Sequence, residues 1–192
     1  MVFTLKLYMV REMIYNYKEI LEKYKSDYNL KKALANKEIY KIEDGLYSDY
    51  PNISYFKKIT KKYPYAIISG LSAYYFYGLT DVIPDKIEVC TKQNSTKIRD
   101  EEVKQIRMLD SLYVLGITKY EYEGTILNIY NKERLLIDLA RNKNSMGYDL
   151  YKEIVLNYRK IVDELDMSLI EEYLKYFNDG NRLYEILMSE VF

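Results

Sequence analysis

The chain of 192 residues has no His, no Trp, one Cys, three Pro and seven Gly. Each scarcity removes a class of chemistry. Without His there is no imidazole to act as a general base, and both His-based triads and the usual zinc hydrolase ligands are excluded. The lone Cys90 excludes an internal disulfide, and its place after Val89 at the end of an apolar stretch reads as a small buried hydrophobe. No run approaches 18 apolar residues, and the opening MVFTLKLYMV is interrupted by Lys6, is followed by Arg11 and lacks a small-residue cleavage site. The expectation is a reducing cytoplasmic compartment and no membrane partner.

What is abundant sets the rest. Hydrophobic residues make up 48% of the chain, enough for one large or two small cores. The net charge is zero, yet residues 1–62 carry 13 Lys/Arg against 8 Asp/Glu, whereas the remainder carries 16 against 21. A basic first third and an acidic remainder point to different partners. The 24 tyrosines are spread over both parts beside abundant Lys, Ile and Asn, which reads as compositional bias and not as a base-stacking platform.

In the first third, MVREMIYNYKEILEKY places Ile14, Tyr17, Leu21 and Tyr24 at helical spacing. A break at Lys25-Ser26 follows, and Ser26 or Asp27 can cap a second helix, DYNLKKALAN. Its Leu30, Ala33 and Leu34 form an inward face, and Asn29, Lys31, Lys32 and Asn36 fall largely outward. Helix, short turn and basic helix make a helix-turn-helix pattern. KEIYKIEDGLYSD then reads as a hairpin turning at Asp44-Gly45, which would serve as a wing. A linker begins near Tyr50-Pro51-Asn52, which sets expected domains of 1–52 and 53–192, and SYFKKITKKY reads as a helix with four lysines.

Beyond Pro64, YAIISG reads as a short buried strand, with Ser69 capping a helix over LSAYYFY that stops at Gly78. DKIEVC and VKQIRML read as further strands, and ITKYEYEGTILNIY as a hairpin turning at Glu123-Gly124. Asn131 caps KERLLIDLARN. The remainder is helical, with Ser168 to Glu171 forming a capping box for LIEEYLKYF. The fold class is therefore α+β: an N-terminal winged helix-turn-helix, then a mixed α/β domain with C-terminal helices.

Three stretches in this order, YKIEDGLYSD, AIISGLSAYYFYGLTD and LNIYNKERLLIDLAR, resemble the AbiEi antitoxins of type IV toxin-antitoxin (abortive infection) systems. The resemblance runs from about Tyr17 to about Tyr158. It implies a winged helix that binds operator DNA, with inverted repeats as the expected target, and represses its own operon. It also implies a second domain that counteracts a nucleotidyltransferase toxin encoded beside it. The toxin relationship is functional and does not require a stable complex.

A nucleotidyltransferase reading of this chain itself also bears on the Ser69-Gly70 step. Such enzymes open a helix at a Gly-Ser or Gly-Gly turn that holds a phosphate, and the next strand carries paired carboxylates for metal ions. Here the next strand carries Asp85 and Glu88, three residues apart, which alternation sends to opposite faces. Lys119, Glu121 and Glu123 lie in an edge hairpin, and Asp138 sits among leucines. Ser69-Gly70 thus reads as a cap and tight turn, compatible with a degenerate nucleotidyltransferase-like shape, with no catalytic residue, metal or cofactor expected.

The leading expectation is a non-enzymatic DNA-binding antitoxin. Its candidate DNA-contacting residues are Lys25, Ser26, Asn29, Lys31, Lys32, Asn36, Lys37 and Lys41, with base reading resting on Asn29 and Asn36 and the lysines holding phosphates. Three alternatives stay open: a stand-alone transcriptional regulator, a metal-dependent nucleotidyltransferase-like enzyme, and a solvated lysine face on a protein-binding module. The acidic hairpin tip, Glu43-Asp44, favours the last of these.

Overall fold

The computed structural model describes residues 13–122 and 125–192. The opening segment MVFTLKLYMV and the Glu123-Gly124 turn lie outside the described residues. The protein is mixed α/β with two sheets, and the chain divides into two compact units: residues 1–64 with 121–126, and residues 65–120 with 127–192. The first unit thus continues past Asn52 to Pro64.

In the first unit, strand β1 (Ile14–Asn16) leads into α1 (Tyr17–Tyr24) and α2 (Asp27–Ala35), followed by β2 (Tyr40–Glu43), β3 (Leu46–Ser48) and α3 (Tyr55–Lys62). The sheet order is β1-β3-β2, both pairings antiparallel, with Ile14 opposite Ser48 and Tyr40 opposite the same residue on the other side. The expected single helix through Ile14 is corrected: the chain is extended at Ile14–Asn16, and the helix starts at Tyr17. The cause is a local capping box. Asn16 Oδ1 accepts from the Glu19 N–H at 3.0 Å, and Glu19 Oε2 accepts from the Asn16 N–H at 2.8 Å, so two otherwise orphaned donors are satisfied at that point. Ile20, Leu30, Ala33, Ile39 and Tyr47 form the core, and Tyr15, Leu21, Tyr24 and Leu34 pack around it.

Lysines of α3 make ion pairs that bind it to this unit. Lys61 meets Glu19 at 2.6 Å, and Glu43 of β2 receives Lys62 at 2.8 Å and Lys58 at 3.7 Å. Burial alone would raise the Glu19 carboxyl, but the Lys61 ammonium and the Asn16 N–H hold it below the usual range.

The other sheet has five strands, whose residues lie in the second unit except for those between 121 and 126. From Tyr65 onward the elements run β4 (Ile67–Ile68), α4 (Gly70–Phe76), β5 (Ile87–Lys92), β6 (Val103–Met108), α5 (Asp110–Tyr113), β7 (Ile117–Tyr122), β8 (Thr125–Tyr130), α6 (Lys132–Arg141), α7 (Tyr148–Lys160), α8 (Met167–Leu174) and α9 (Gly180–Glu190). The sheet order is β6-β5-β4-β8-β7, with β4 antiparallel to β5 but parallel to β8, and β5 parallel to β6. Helix α6 is buried at every position from Arg134 to Ala140, and it contacts α4, α8 and α9. A helix enclosed on all sides is a core element, and its charged members must be paired.

Many of the tyrosines are core residues whose hydroxyls donate to backbone carbonyls. Tyr74 donates to Leu135 O at 3.0 Å, Tyr158 to Lys132 O at 3.0 Å and Tyr130 to Tyr113 O at 2.9 Å. Burial pushes the pKa of all three hydroxyls up, so they stay neutral donors. The expected cap of α8 moves as well. Asp166, and not Ser168, accepts from the N–H groups of Ser168 and Leu169, because Asp166 stands just outside the first turn.

Candidate functional site

Two surfaces collect polar groups without using them all for packing. The first is built on α2. Ser26 Oγ accepts from the Asn29 N–H at 3.2 Å and starts the helix, and Leu30 and Ala33 turn inward. Lys25, Asn29, Lys31, Lys32, Asn36, Lys37 and Lys41 are exposed, and Ser26 is half-buried at the cap. Lys25, Asn29, Lys32 and Asn36 line one shallow groove along α2, together with Lys23 and Glu38. Lys31 lies outside that groove, one helical step to the side, and Lys41 stands on the hairpin.

Partners limit what each residue can offer. Asn29 Nδ2 donates to Tyr24 O at 3.0 Å, leaving its carbonyl oxygen and its other amide hydrogen available. Asn36 Nδ2 donates to Glu38 Oε1 at 3.0 Å. Lys41 Nζ meets Asp44 Oδ1 at 2.5 Å on an exposed surface, which raises the lysine and lowers the carboxyl through that hydrogen bond. Such an exposed pair is worth little and exchanges readily. The acidic hairpin tip therefore carries its own compensation, Glu43 from α3 and Asp44 from Lys41.

Lys25 and Lys37, which bracket α2, have φ of 64° and 58°, and they are the non-glycine residues with positive φ among those described. Left-handed backbone is unfavourable for a residue with a Cβ. Lys23 joins this surface although the sequence pattern does not single it out. It lies over the Tyr15 ring at 4.5 Å and donates to Tyr15 Oη at 3.0 Å, and its position in the last turn of α1 is the one signal the sequence offers.

The second surface is an open cavity of about 830 Å³ in the second unit. Ser69-Gly70 forms one side, at the passage from β4 into α4. Ser69 occupies the cap position, but its side chain makes no capping hydrogen bond. Glu88 of β5 caps α4 instead: its Oε2 accepts from the Leu71 N–H at 2.8 Å, while the Glu88 N–H donates to Ser72 Oγ at 2.9 Å. Gly70 has φ of +51°, which favours glycine, and a Cβ there would displace the Glu88 carboxylate from its capping position. Glu88 Oε1 also receives Lys104 at 2.6 Å. The expected reading of Ser69 as the side-chain cap is thus corrected, and a strand carboxylate that could have served a metal is engaged by a helix terminus.

The opposite side is set by α6. Arg134 is fully buried, stacks on Tyr130 at 4.6 Å, and donates to Leu112 O and Leu115 O. Its Nε lies 3.2 Å from Asp138 Oδ2, a charge contact without hydrogen-bond alignment. Asp138 also accepts from Arg141 Nη1 at 3.1 Å, and Arg141 stacks on Phe177 at 5.0 Å. Arg107 of β6 joins Arg141 and Asp138 in lining the cavity. Cys90 lines it too and is fully buried, with burial pushing the thiol up.

Asp85 stands exposed before β5, Glu88 is held at α4, and Asp138 is held between two arginines. Among the described residues, no group of three His, Cys, Asp or Glu side chains is placed to hold a metal ion. No helix among them is long and apolar enough to cross a membrane.

The fold is similar to that of a solved structure, the RV2827C protein from Mycobacterium tuberculosis, with a TM-score of 0.63 and 15% identity. The match covers 93% of this chain and 72% of that one, and at this identity it shows the fold alone. No family model matches the chain. A stretch of 89 residues, 45% of the chain, is 34% identical to an ATP-dependent helicase/nuclease component of Clostridium botulinum strain Kyoto, and equally to that of strain Langeland. The chain spans only 6% of the length of these curated relatives, so their activity does not carry over to it.

Proposed function

We propose that this chain is a DNA-binding antitoxin that represses its own operon and counteracts a nucleotidyltransferase toxin encoded beside it. The observation that carries the DNA-binding part is the order β1-α1-α2-β2-β3 with β3 between its two partners. Two short helices inserted between a first strand and a hairpin support the winged helix-turn-helix reading. On that reading α2 would be the recognition helix and the β2–β3 hairpin the wing. The exposed cations along α2 suit phosphate oxygens, and Asn29 and Asn36 suit base edges. Pairing of Glu43 with Lys58 and Lys62 of α3 lessens the electrostatic objection to a wing near a phosphate.

The antitoxin part rests on the resemblance of the three quoted stretches to the AbiEi antitoxins. A non-catalytic role for the second unit is supported by the uses its carboxylates already have, Glu88 as a helix cap and Asp138 as an arginine partner.

The direct test is binding of the full chain to duplex from its own upstream region, measured across a salt series. Lys31→Ala with Lys32→Ala should weaken binding and flatten the slope of log K against log salt by up to about two phosphate equivalents. An unchanged slope would remove α2 from the interface. Relief of a neighbouring nucleotidyltransferase's toxicity on co-expression tests the antitoxin part separately.

A further inference from the structure

The outward face of α2 has a centre line, and its two amides do not lie on it. Each residue of a helix advances it by about 100°. Leu30, Ala33 and Leu34 pack on the core of the first unit, so the line farthest from that core runs through Tyr28 and Ala35, about two turns apart. Lys31 and Lys32, the next residues up this face from Tyr28, stand on either side of the line, and both are exposed. Asn29 and Asn36 each follow one of the two central residues and so lie about 100° round the helix, along the groove that Lys25 also lines. Each of these amides already donates one hydrogen, Asn29 to Tyr24 O and Asn36 to Glu38 Oε1.

Tyr28 is 76% exposed, the largest fraction among the big apolar side chains described. Tyr74, Tyr130 and Tyr158 bury their rings and donate their hydroxyls to carbonyls, whereas Tyr28 has neither a hydrogen bond nor a ring contact among the described residues. Exposed apolar area gains free energy when a partner covers it, and the lysines beside it set the sign of that partner as negative. The major groove of a duplex meets both demands. Phosphates line its edges, and on its floor thymine presents an apolar 5-methyl group that a side chain can cover.

We propose that Tyr28 is a specificity-determining residue of α2 and that it reads thymine, its ring covering a 5-methyl group in the major groove while Lys31 and Lys32 hold phosphates on either side. The inference rests on the DNA-binding reading of the first unit and deepens it.

The test uses the full chain and the duplex it binds from its own upstream region, made once with thymine and once with deoxyuridine at every thymine position. The exchange deletes the methyl groups and keeps every base-pair hydrogen bond. The parent should bind the thymine duplex about four- to tenfold more tightly, the scale of burying one or two methyl groups. Tyr28→Ser should bring that preference to about twofold or less and keep the parent's salt slope, since no charge is lost. Tyr28→Phe should retain the preference, because the ring and not the hydroxyl makes the contact. Lys31→Ala with Lys32→Ala should do the reverse of Tyr28→Ser, flattening the slope and leaving the preference intact. The side chain of Tyr28 faces water, so Tyr28→Ser should leave the unfolding midpoint in place. Equal affinity of the parent for the two duplexes, an undiminished preference in Tyr28→Ser, or its loss in Tyr28→Phe would overturn the inference and leave DNA binding by α2 standing. Absence of any duplex binding, or a salt slope indifferent to the lysine pair, would overturn the DNA-binding reading of α2 and the inference with it.

Discussion

Helices α2 and α6 both begin at a side-chain cap, Ser26 in one and Asn131 in the other, and both carry cations, yet they use them in opposite ways. On α2 the lysines face water, and α2 buries only Leu30 and Ala33. On α6 seven consecutive residues are buried, and Arg134 is pinned by Asp138, two carbonyls and an aromatic ring. A cation in water is an adjustable point charge for a partner. A cation in the core is a structural part, costly to leave unpaired and able to fix its neighbours. The difference is one of enclosure, and four variants and one pH series can break or sharpen it.

The largest effect is expected at Arg134. Arg134→Ala leaves Asp138 half-paired and two carbonyls without a donor, and should destabilise the second unit by about 3–5 kcal/mol in urea unfolding. A change below about 1 kcal/mol, the scale of a surface substitution, would mean that α6 does not need its charge. Next comes Asn16→Ala, which removes the side-chain acceptor of the α1 capping box and should cost about 1 kcal/mol in the first unit. Retained stability there would show that the helix start is set by packing and not by the cap.

Lys25→Gly separates the two uses of a residue more sharply. Relief of the left-handed backbone should raise stability by up to about 1 kcal/mol. The same change should lower the DNA salt slope by about one phosphate equivalent. Gain of stability without loss of slope would place Lys25 outside the interface. Lys31→Ala with Lys32→Ala should leave the unfolding free energy within about 0.5 kcal/mol of the parent, in keeping with side chains that serve only a partner.

The smallest effect concerns pH. The Glu19 carboxyl is lowered in the folded state, so its pairing with Lys61 adds stability above the ordinary carboxylate range and loses it as pH falls through the lowered value. Unfolding midpoints of the parent and of Glu19→Gln should converge as the solution is acidified. Parallel curves would assign the acid sensitivity elsewhere.

Local signals are legible where the physics is local. Ser26 and Asn131 cap the helices they precede, Gly45 turns the hairpin and Gly78 follows α4, because each acts on groups a few residues away. Periodicity overextends the first helix because Ile14 fits a helical stripe, and it does not reveal that Asn16 and Glu19 cap each other. At Ser69 the pattern locates the cap position but not the capping group, since Glu88 arrives from a strand that pairs with β4. On the α2 face the exposed residues follow from the pattern alone. The cavity that Ser69, Cys90, Met108 and Arg141 line does not, because they come from four segments that the sheet and α6 bring together.

The order of residues by itself determined the caps of α2 and α6, the hairpin turn at Gly45, the inward stripe of α2 and the outward placement of its lysines, all interactions that span one or two helical turns. Tertiary structure alone decided that Glu88 would close a helix seventeen residues before it. It also left the buried Ser69 hydroxyl without a hydrogen-bond partner among the described residues. Desolvation and side-chain pairing across distant segments set these outcomes, and neither is encoded in any single stretch of the chain.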